Sequence, residues 1–237
     1  MERATHTNGQ SIPEGDSIAC LRAVAFASGA ERWAAFVALA RSPDPAALDV
    51  LVEACGDADE FVRRAGVEGI GEHVLGRREA ALVARLLGDA SEYVARSACE
   101  AAARLGVTEA REAVHALRHS SSSATREVAV RALVSLWHDD DFEPLSRQFR
   151  EDPSPEVRKE AAWTLQKVAT AVHAAQLFEA WKADPLPRHR LWACELAFLY
   201  PHSNFEEALR GLTQDPDGHV RAQARRALDS RPASSEP

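Results

Sequence analysis

The sequence repeats itself about every 31 residues, and this internal repeat limits the possible folds more than any other feature. One apolar position recurs in six copies. The interval between the second and third copies is longer than the others, and the interval between the third and fourth is shorter. The residues at this position are Val62, Val94, Val128, Val157, His189 and Val220. Because one copy is too short to bury a core alone, neighbouring copies must stack on one another. The sequence therefore predicts a row of small interfaces instead of one large hydrophobic centre.

Two further positions keep a fixed offset from the apolar one. Four residues later the chain carries Gly66, Ala98, Ala132, Ala161, Ala193 and Ala224. Eight residues later it carries Ile70, Ala102, Leu136, Leu165, Ala197 and Leu228. Offsets of 0, 4 and 8 share one stripe of an α-helix. A site that is always Gly or Ala indicates that another backbone passes close to the helix there.

A turn precedes each of these helices. Five residues before the apolar position stand Asp57, Asp89, Ser123, Asp152, Asp184 and Asp215. Pro directly follows three of the aspartates, and Pro cannot continue the upstream helix. A second apolar-periodic segment lies before each turn, so each copy is predicted to be helix, Asp turn, helix. A weaker copy, with helices over 17–28 and 32–41, precedes the others.

The pattern Asp-x4-Val-Arg-x2-Ala-x3-Leu resembles HEAT repeats, and its short period is similar to the class named after phycobilisome lyase subunits. The matching segments are GDADEFVRRAGVEGI, GDASEYVARSACEAA, EDPSPEVRKEAAWTL and QDPDGHVRAQARRAL. This resemblance implies an all-α fold, a right-handed α-solenoid (alpha-alpha superhelix) of six to seven HEAT-like helix pairs over residues 16–229. Residues 1–15 are then expected to be a disordered arm and 230–237 a disordered tail.

In HEAT-like proteins the Asp of the turn and an Arg one residue after the apolar position usually form a ladder between neighbouring repeats. The resemblance implies this role for Asp57, Arg63, Asp89, Asp152, Arg158, Asp184, Arg190, Asp215 and Arg221. Ala95 and Ala129 occupy the Arg position in the second and third full copies, and Ser123 replaces an Asp. The sequence therefore predicts an irregular joint near residues 119–126.

The side of each second helix opposite the buried stripe is predicted to face solvent. In the first two full copies this side carries Arg and Glu four residues apart, which is typical of solvated helix surface. In the later copies it carries apolar side chains, and a contiguous exposed apolar patch usually marks a binding site. We predict a partner-binding groove there, formed by Val130, Val134, Trp137, Lys159, Trp163, Leu191 and Phe198. The alternative is that these side chains pack on one another, which the nearly all-apolar segment 191–200 favours locally.

The composition favours a reducing compartment and argues against a phosphate-binding function. The formal net charge is −8, spread over both halves of the chain, whereas a nucleic-acid groove requires a basic stripe. The four cysteines are too far apart in sequence for a zinc knuckle or a redox pair. The polar N-terminal segment lacks a secretory signal, and the apolar runs are too short to span a bilayer. We expect a cytoplasmic protein.

The sequence shows little sign of catalytic or metal chemistry. His115 and His119 stand four residues apart, but no carboxylate at a matching spacing accompanies them. The run 138–141 is better explained as a solvated loop than as a cation site. The chain lacks the His-Glu dipeptides with which HEAT-like deoxyhypusine hydroxylases bind iron. We therefore expect no catalytic residue, no metal site and no cofactor.

Three functions are consistent with the sequence. The first is a non-catalytic scaffold, adaptor or regulator that binds a partner protein, including an inhibitor whose acidic groove masks a basic partner. The second is a phycobilin-lyase-like chaperone or lyase subunit, which the repeat class implies. The third is a HEAT-like DNA-repair protein, which the negative net charge disfavours. We expect the first, with a protein partner, no nucleic acid, no membrane, and a monomeric state.

Overall fold

The computed structural model describes residues 17–201 and 204–231, and in these residues it contains 14 α-helices, three short 3-10 helices and no strand. The predicted all-α fold class of HEAT-like helix pairs is confirmed. The predicted arm over 1–15 lies outside the described residues, as does the predicted tail except for Ser230 and Arg231. None of the described helices is long and apolar enough to cross a membrane.

The chain divides into two compact units, Met1–Leu136 and Trp137–Pro237. Unit 1 contains four helix pairs, in which the second helix carries the repeated apolar stripe. Its helices are α1 (Ile18–Ala25), α2 (Arg32–Arg41), α3 (Pro45–Ala54), α4 (Glu60–Glu72), α5 (Ala80–Leu86), α6 (Glu92–Leu105), α7 (Arg111–Leu117) and α8 (Ser123–Ala132). The two helices of each pair pack together, and α2, α4, α6 and α8 pack in succession.

Unit 2 contains three further pairs of the same kind. Its helices are α9 (Phe142–Glu151), α10 (Pro155–Val168), α11 (Ala171–Trp181), α12 (Pro187–Leu199), α13 (Glu206–Leu212) and α14 (Gly218–Asp229). The helices of each pair pack against each other, and α12 packs against α14. Stacked pairs of this kind are the arrangement of α-solenoids.

The small residue Gly66 of α4 lies against the first helix of its own pair, α3. A Cβ on Gly66 would stand 2.8 Å from the carbonyl oxygen of Leu51 and 2.9 Å from the nitrogen of Cys55. The alanines at this position, Ala98, Ala161, Ala193 and Ala224, are completely buried. The prediction that another backbone passes close to this site is therefore confirmed at Gly66.

The aspartates shape the turns within the pairs by accepting backbone hydrogen bonds. Oδ1 of Asp57 accepts the N–H of Asp59 at 2.7 Å, and Oδ1 of Asp215 accepts the N–H of Asp217 at 2.8 Å. Asp89, Asp152 and Asp184 accept in the same way at 2.8–2.9 Å. These contacts hold the chain in an Asx turn, after which the second helix begins.

The fourth pair repeats this geometry, but with different residues from those predicted. The hydroxyl oxygen of Ser120 accepts the N–H of Ser122 at 3.1 Å, and Arg126 donates to the carbonyl of Ser120 at 2.9 Å. These contacts match those that Asp57 and Arg63 make in the second pair. Ser120, Thr125 and Arg126 are thus the true equivalents of Asp57, Val62 and Arg63, and the apolar pattern placed this copy three residues too late.

The corrected alignment makes the repeat more regular. With Thr125 in place of Val128, the longest interval between apolar positions shortens, the shortest one lengthens, and all become nearly equal. Ala129 then occupies the small, fully buried site and does not break the ladder, because Arg126 holds the Arg position. The irregular joint predicted near 119–126 is wrong for the same reason, since the turn there has the ordinary hydrogen bonds. The boundary between the units instead follows Leu136.

Candidate functional site

The residues predicted to line a partner groove are mostly withdrawn from solvent. Val130 is completely buried, so its predicted exposure is wrong; in the corrected alignment it no longer belongs to the solvent-facing row. Lys159 is exposed. The remaining members of the set are half-buried: Val134, Trp137, Trp163, Leu191 and Phe198.

Three of these half-buried aromatic side chains contact neighbours within unit 2. The Lys167 ammonium lies 5.6 Å from the centre of the Trp163 ring, and the Arg226 guanidinium lies 4.7 Å from that of Phe198. Trp137 packs edge-on against His173 at 6.3 Å. The apolar surface that the sequence predicted is therefore partly covered by the protein's own side chains.

Ion pairs between neighbouring repeats join the ladder residues Arg63 to Asp89 and Arg190 to Asp215. Arg63 donates through Nε and Nη2 to both carboxylate oxygens of Asp89 at 2.9 Å, and Arg190 donates to both oxygens of Asp215 at 2.7 and 2.9 Å. The arginine hydrogen bonds hold the pKa of each aspartate below its usual range. A two-point link of this kind stabilises the stacking of adjacent pairs.

Two other ladder arginines contact their own turns. Nη1 of Arg158 and Nη1 of Arg221 donate to the carbonyls of Asp152 and Asp215, at 2.6 and 2.7 Å. Among the described residues Arg158 makes no ion pair with Asp184, whose Oδ1 instead lies 3.1 Å from Nδ1 of the buried His189. Arg63 and Arg190 donate to the carbonyls of their own turns in the same way, so turn capping accompanies the ladder ion pairs where they form.

A different link joins the beginning of α6 to the beginning of α8, where Ala95 and Ser120 replace the Arg and Asp of the ladder. The hydroxyl of the buried Thr125 donates to Oε1 of Glu92 at 2.6 Å. Hydrogen bonds from the Ser122 and Thr125 side chains keep the pKa of Glu92 below its usual range. Here the first repeat supplies the carboxylate and the next supplies the donors, the reverse of the ordinary ladder.

The large exposed aromatic side chains of unit 1 lie at the beginning of three successive second helices. The second residue is Trp33 in α2, Phe61 in α4 and Tyr93 in α6. The exposed fractions of these side chains are 53%, 59% and 51%, in the same order. The Arg96 guanidinium lies 5.0 Å from the centre of the Tyr93 ring. Because these side chains contribute little to the core, the fold does not account for them.

A groove of about 490 Å³ runs along the same three helices. Its lining forms four rows, each with one residue from α2, one from α4 and one from α6: Trp33, Ala65 and Ser97; Phe36, Glu68 and Glu100; Val37, Gly69 and Ala101; Ala40, Glu72 and Arg104. The first row explains the groove, because Trp33 of α2 shares this wall with the small side chains of Ala65 on α4 and Ser97 on α6. We call this surface the α2–α4–α6 groove.

The charged side chains in and beside this groove are largely paired with one another. Nε of Arg64 donates to Glu68 at 2.7 Å, and the hydroxyl of Ser97 donates to the same carboxylate oxygen at 2.7 Å. Arg104 pairs with Glu72. The α2 wall is apolar apart from Arg41, whereas the α6 wall is mostly polar, so the groove has two chemically different sides.

A smaller cavity of about 290 Å³ adjoins this groove at Trp33. It lies between the beginnings of α2 and α4, and we call it the aromatic pocket. Its lining residues are Arg32, Trp33, Phe36, Phe61, Arg64 and Ala65. Trp33, Phe36 and Ala65 also line the groove, so the two cavities form one continuous surface within unit 1.

This surface has the features of a binding site, and the buried cysteines lie outside it. Burial raises the pKa of the Cys55, Cys99 and Cys194 thiols to about 12, which leaves them protonated and poorly nucleophilic at neutral pH. No group of three or more His, Cys, Asp or Glu side chains within the described ranges is arranged to hold a metal ion. Exposed aromatic side chains beside small residues and paired charges are typical of protein interfaces.

This site does not stand out in the sequence, because the Arg and Glu rows of the first full copies are typical of ordinary solvated surface. Arg64 and Glu68 do form the expected pair. The missed signal was positional: Phe61 and Tyr93 stand directly before the repeated Val62 and Val94, where a buried role is not available. Large aromatic residues at such a position are unneeded for packing.

Comparison with known protein families identifies HEAT repeats in this chain. The family model for HEAT repeats matches residues 79–166 and 114–196, which together cover about half of the sequence. A comparison with curated protein sequences gives no significant match.

Solved structures with the same fold include natural repeat proteins. A chain in the complex of CpcE and CpcF of phycocyanin lyase from Nostoc has a TM-score of 0.55 and 19% identity, and the alignment covers 97% of this chain and 98% of that one. The archaeal HEAT-like repeats protein from Thermococcus onnurineus has a TM-score of 0.60 and 16% identity, with coverage of 90% and 96%. At these identities the likeness establishes the fold alone.

Proposed function

The chain belongs to the HEAT-repeat family, and we propose from this that it is a non-catalytic scaffold that binds a partner protein in the α2–α4–α6 groove. HEAT-like repeats present broad side-chain surfaces, and partner binding is the use that such surfaces serve best. The proposal moves the binding site from the row between Val130 and Phe198 to the first three helix pairs of unit 1.

The observation that carries this proposal is the position of Trp33. Its side chain is 53% exposed, and it lines both the groove and the aromatic pocket. An exposed tryptophan costs solubility and gives the fold little, whereas tryptophan is strongly enriched among the residues that dominate binding energy. Ala65 and Ser97 leave space beside it that a partner's side chain can fill.

Affinity capture from the native host, followed by quantitative mass spectrometry, tests this proposal. The baits are the wild-type chain, Trp33→Ala and the matched variant Trp163→Ala, whose tryptophan is half-buried in unit 2. We expect one or more partners that are retained by the wild type and by Trp163→Ala and lost from Trp33→Ala. Loss with Trp163→Ala and retention with Trp33→Ala would place the interface on the surface that the sequence predicted.

A phycobilin-lyase-like subunit is a second candidate. The nearly complete mutual coverage with a chain of the CpcE and CpcF complex supports it. The test is to incubate the chain with a phycobiliprotein subunit and a free bilin, and to follow the visible absorption of the bilin. Covalent or tightly bound pigment that depends on this chain would favour this candidate over a plain scaffold, and unchanged absorption would oppose it.

A further inference from the structure

The aromatic pocket has a chemical character that differs from that of the whole chain. Three of its lining side chains are aromatic, Trp33, Phe36 and Phe61, and the charged residues that line it are Arg32 and Arg64. No carboxylate of the described residues lines this pocket, although the chain has a formal net charge of −8. The pocket is thus an aromatic site whose charged lining residues are both arginines, and their carboxylate partners Asp59 and Glu68 lie outside this lining.

Both arginines keep hydrogen-bonding capacity for a ligand. A guanidinium has five N–H donors. Nη1 of Arg32 donates to Asp59 at 3.0 Å, and Nε of Arg64 donates to Glu68 at 2.7 Å. Each arginine side chain is about one-third or more exposed, so its remaining N–H groups are accessible to a carboxylate from solvent. The existing partners hold the two guanidinium groups in place at the edge of the pocket.

We propose that the aromatic pocket binds an acidic peptide segment of the partner protein, with one apolar side chain seated between Trp33 and Phe61. An Asp or Glu directly beside that side chain then meets Arg32 and Arg64. Complementarity of hydrogen-bonding groups carries this choice. Each guanidinium keeps N–H donors, whereas the neighbouring carboxylates of Asp59 and Glu68 each already accept two hydrogen bonds. The proposal rests on the proposed function and specifies the chemistry of the partner.

The volume of the pocket also limits the size of the side chain that it can bind. A cavity of about 290 Å³ has room for one large apolar side chain, and the adjoining groove continues along α2, α4 and α6 past Ala65. The motif expected in the pocket is therefore one aromatic or large aliphatic residue flanked by carboxylates. Further residues of the segment extend into the groove.

Selection from a display library of random twelve-residue peptides against the full chain tests this inference. We expect the enriched peptides to share Phe, Trp or Leu next to Asp or Glu. Enrichment of basic or uncharged peptides, or no enrichment over an unrelated bait, would overturn the inference.

Fluorescence anisotropy with the most enriched peptide then tests the residues. The double variant Arg32→Gln/Arg64→Gln is expected to weaken binding at least tenfold, and raising the salt concentration is expected to weaken wild-type binding. Arg77→Gln is the matched control, because Arg77 is an exposed arginine of unit 1 that pairs with Glu109 and lines neither the pocket nor the groove. An equal loss in the control and the double variant would contradict the assignment to the pocket.

The two proposals fail in different ways. If Trp33→Ala abolishes partner capture while Arg32→Gln/Arg64→Gln leaves it unchanged, the groove binds a partner but the acidic chemistry is wrong. If Trp33→Ala leaves partner capture unchanged, the proposed site itself is wrong. Circular dichroism melting curves of each variant show whether the fold is retained.

Discussion

The two units of the molecule place their aromatic side chains differently. Unit 2 buries them: Trp181 and Phe178 are inaccessible, and Phe178 stacks on Phe205 with ring centres 4.0 Å apart. Unit 1 exposes more than half of Trp33, Phe61 and Tyr93. The same repeat thus supports two uses of aromatic residues, one in the core and one on a surface that is open to a partner.

The largest expected effect is the difference in stability between substituting a buried tryptophan and substituting an exposed one. Trp181→Ala should lower the free energy of unfolding by about 3–5 kcal/mol, because it leaves a large cavity in the core. Trp33→Ala should change it by less than about 0.5 kcal/mol, as expected of a surface substitution. Urea denaturation followed by circular dichroism measures both.

Trp181→Phe provides the control for this comparison. Nε1 of Trp181 is buried without a hydrogen-bond partner among the described residues, so phenylalanine removes an unsatisfied donor while it keeps much of the ring. It should cost clearly less than Trp181→Ala. A cost above about 1.5 kcal/mol for Trp33→Ala would show that the exposed aromatic side chains are structural after all, within the usual range of core substitutions.

The ladder ion pairs should contribute similarly to stability in the two units, because both units contain the same two-point link between Arg and Asp. Asp89→Asn in unit 1 and Asp215→Asn in unit 2 each remove one carboxylate from a two-point link to arginine. Each should lower the free energy of unfolding by about 1–3 kcal/mol at pH 7, the range for hydrogen bonds to charged groups. Denaturant titrations at several pH values measure the effect.

The pH dependence of this loss follows from the direction of the pKa shifts. The pKa values of Asp89 and Asp215 are lowered in the folded state by hydrogen bonds from Arg63 and Arg190. The stabilisation is therefore fully present above the ordinary Asp pKa of about 3.9 and is lost as the pH falls through the lowered value. The difference between wild type and variant should shrink below about pH 4, and a difference that grew there would contradict the assignment.

A smaller effect is expected at the reversed link of unit 1. Thr125→Val keeps the shape of the side chain and restores the residue that other repeats carry, but it removes the hydrogen bond to Glu92. The expected cost is about 1 kcal/mol. Thr125→Ser, which keeps the hydroxyl, should retain the hydrogen bond, and the pKa of Glu92 measured by NMR should rise only in the valine variant.

The repeat period and the helix pairs could be predicted from the sequence because they depend on local periodicity. Helix propensity, the Asx turns and the Gly or Ala site at Gly66 all have short-range physical causes. The misplacement of one copy shows the limit. Thr125 holds a position that valine usually occupies, and only the contacts of Ser120 and Arg126 reveal that the serine run begins the turn three residues earlier than the apolar pattern suggested.

The binding surface could not be predicted because exposure depends on what the neighbouring repeats place nearby. Trp163 and Phe198 look solvent-facing on a helical wheel, yet Lys167 and Arg226 cover their rings. Trp33 shows the opposite case, since the small side chains of Ala65 and Ser97 on the next two second helices leave space beside it. The net charge of the chain likewise did not indicate that the charged residues lining the aromatic pocket are arginines.

Fluorine NMR of the chain labelled with 5-fluorotryptophan, titrated with the captured partner, tests the central claim most directly. The five tryptophans give five resonances, each assigned by a single Trp→Phe substitution. We expect the Trp33 resonance to shift or broaden on binding while those of Trp163 and Trp181 stay in place. A partner that moves the Trp163 resonance and leaves Trp33 unchanged would contradict the account.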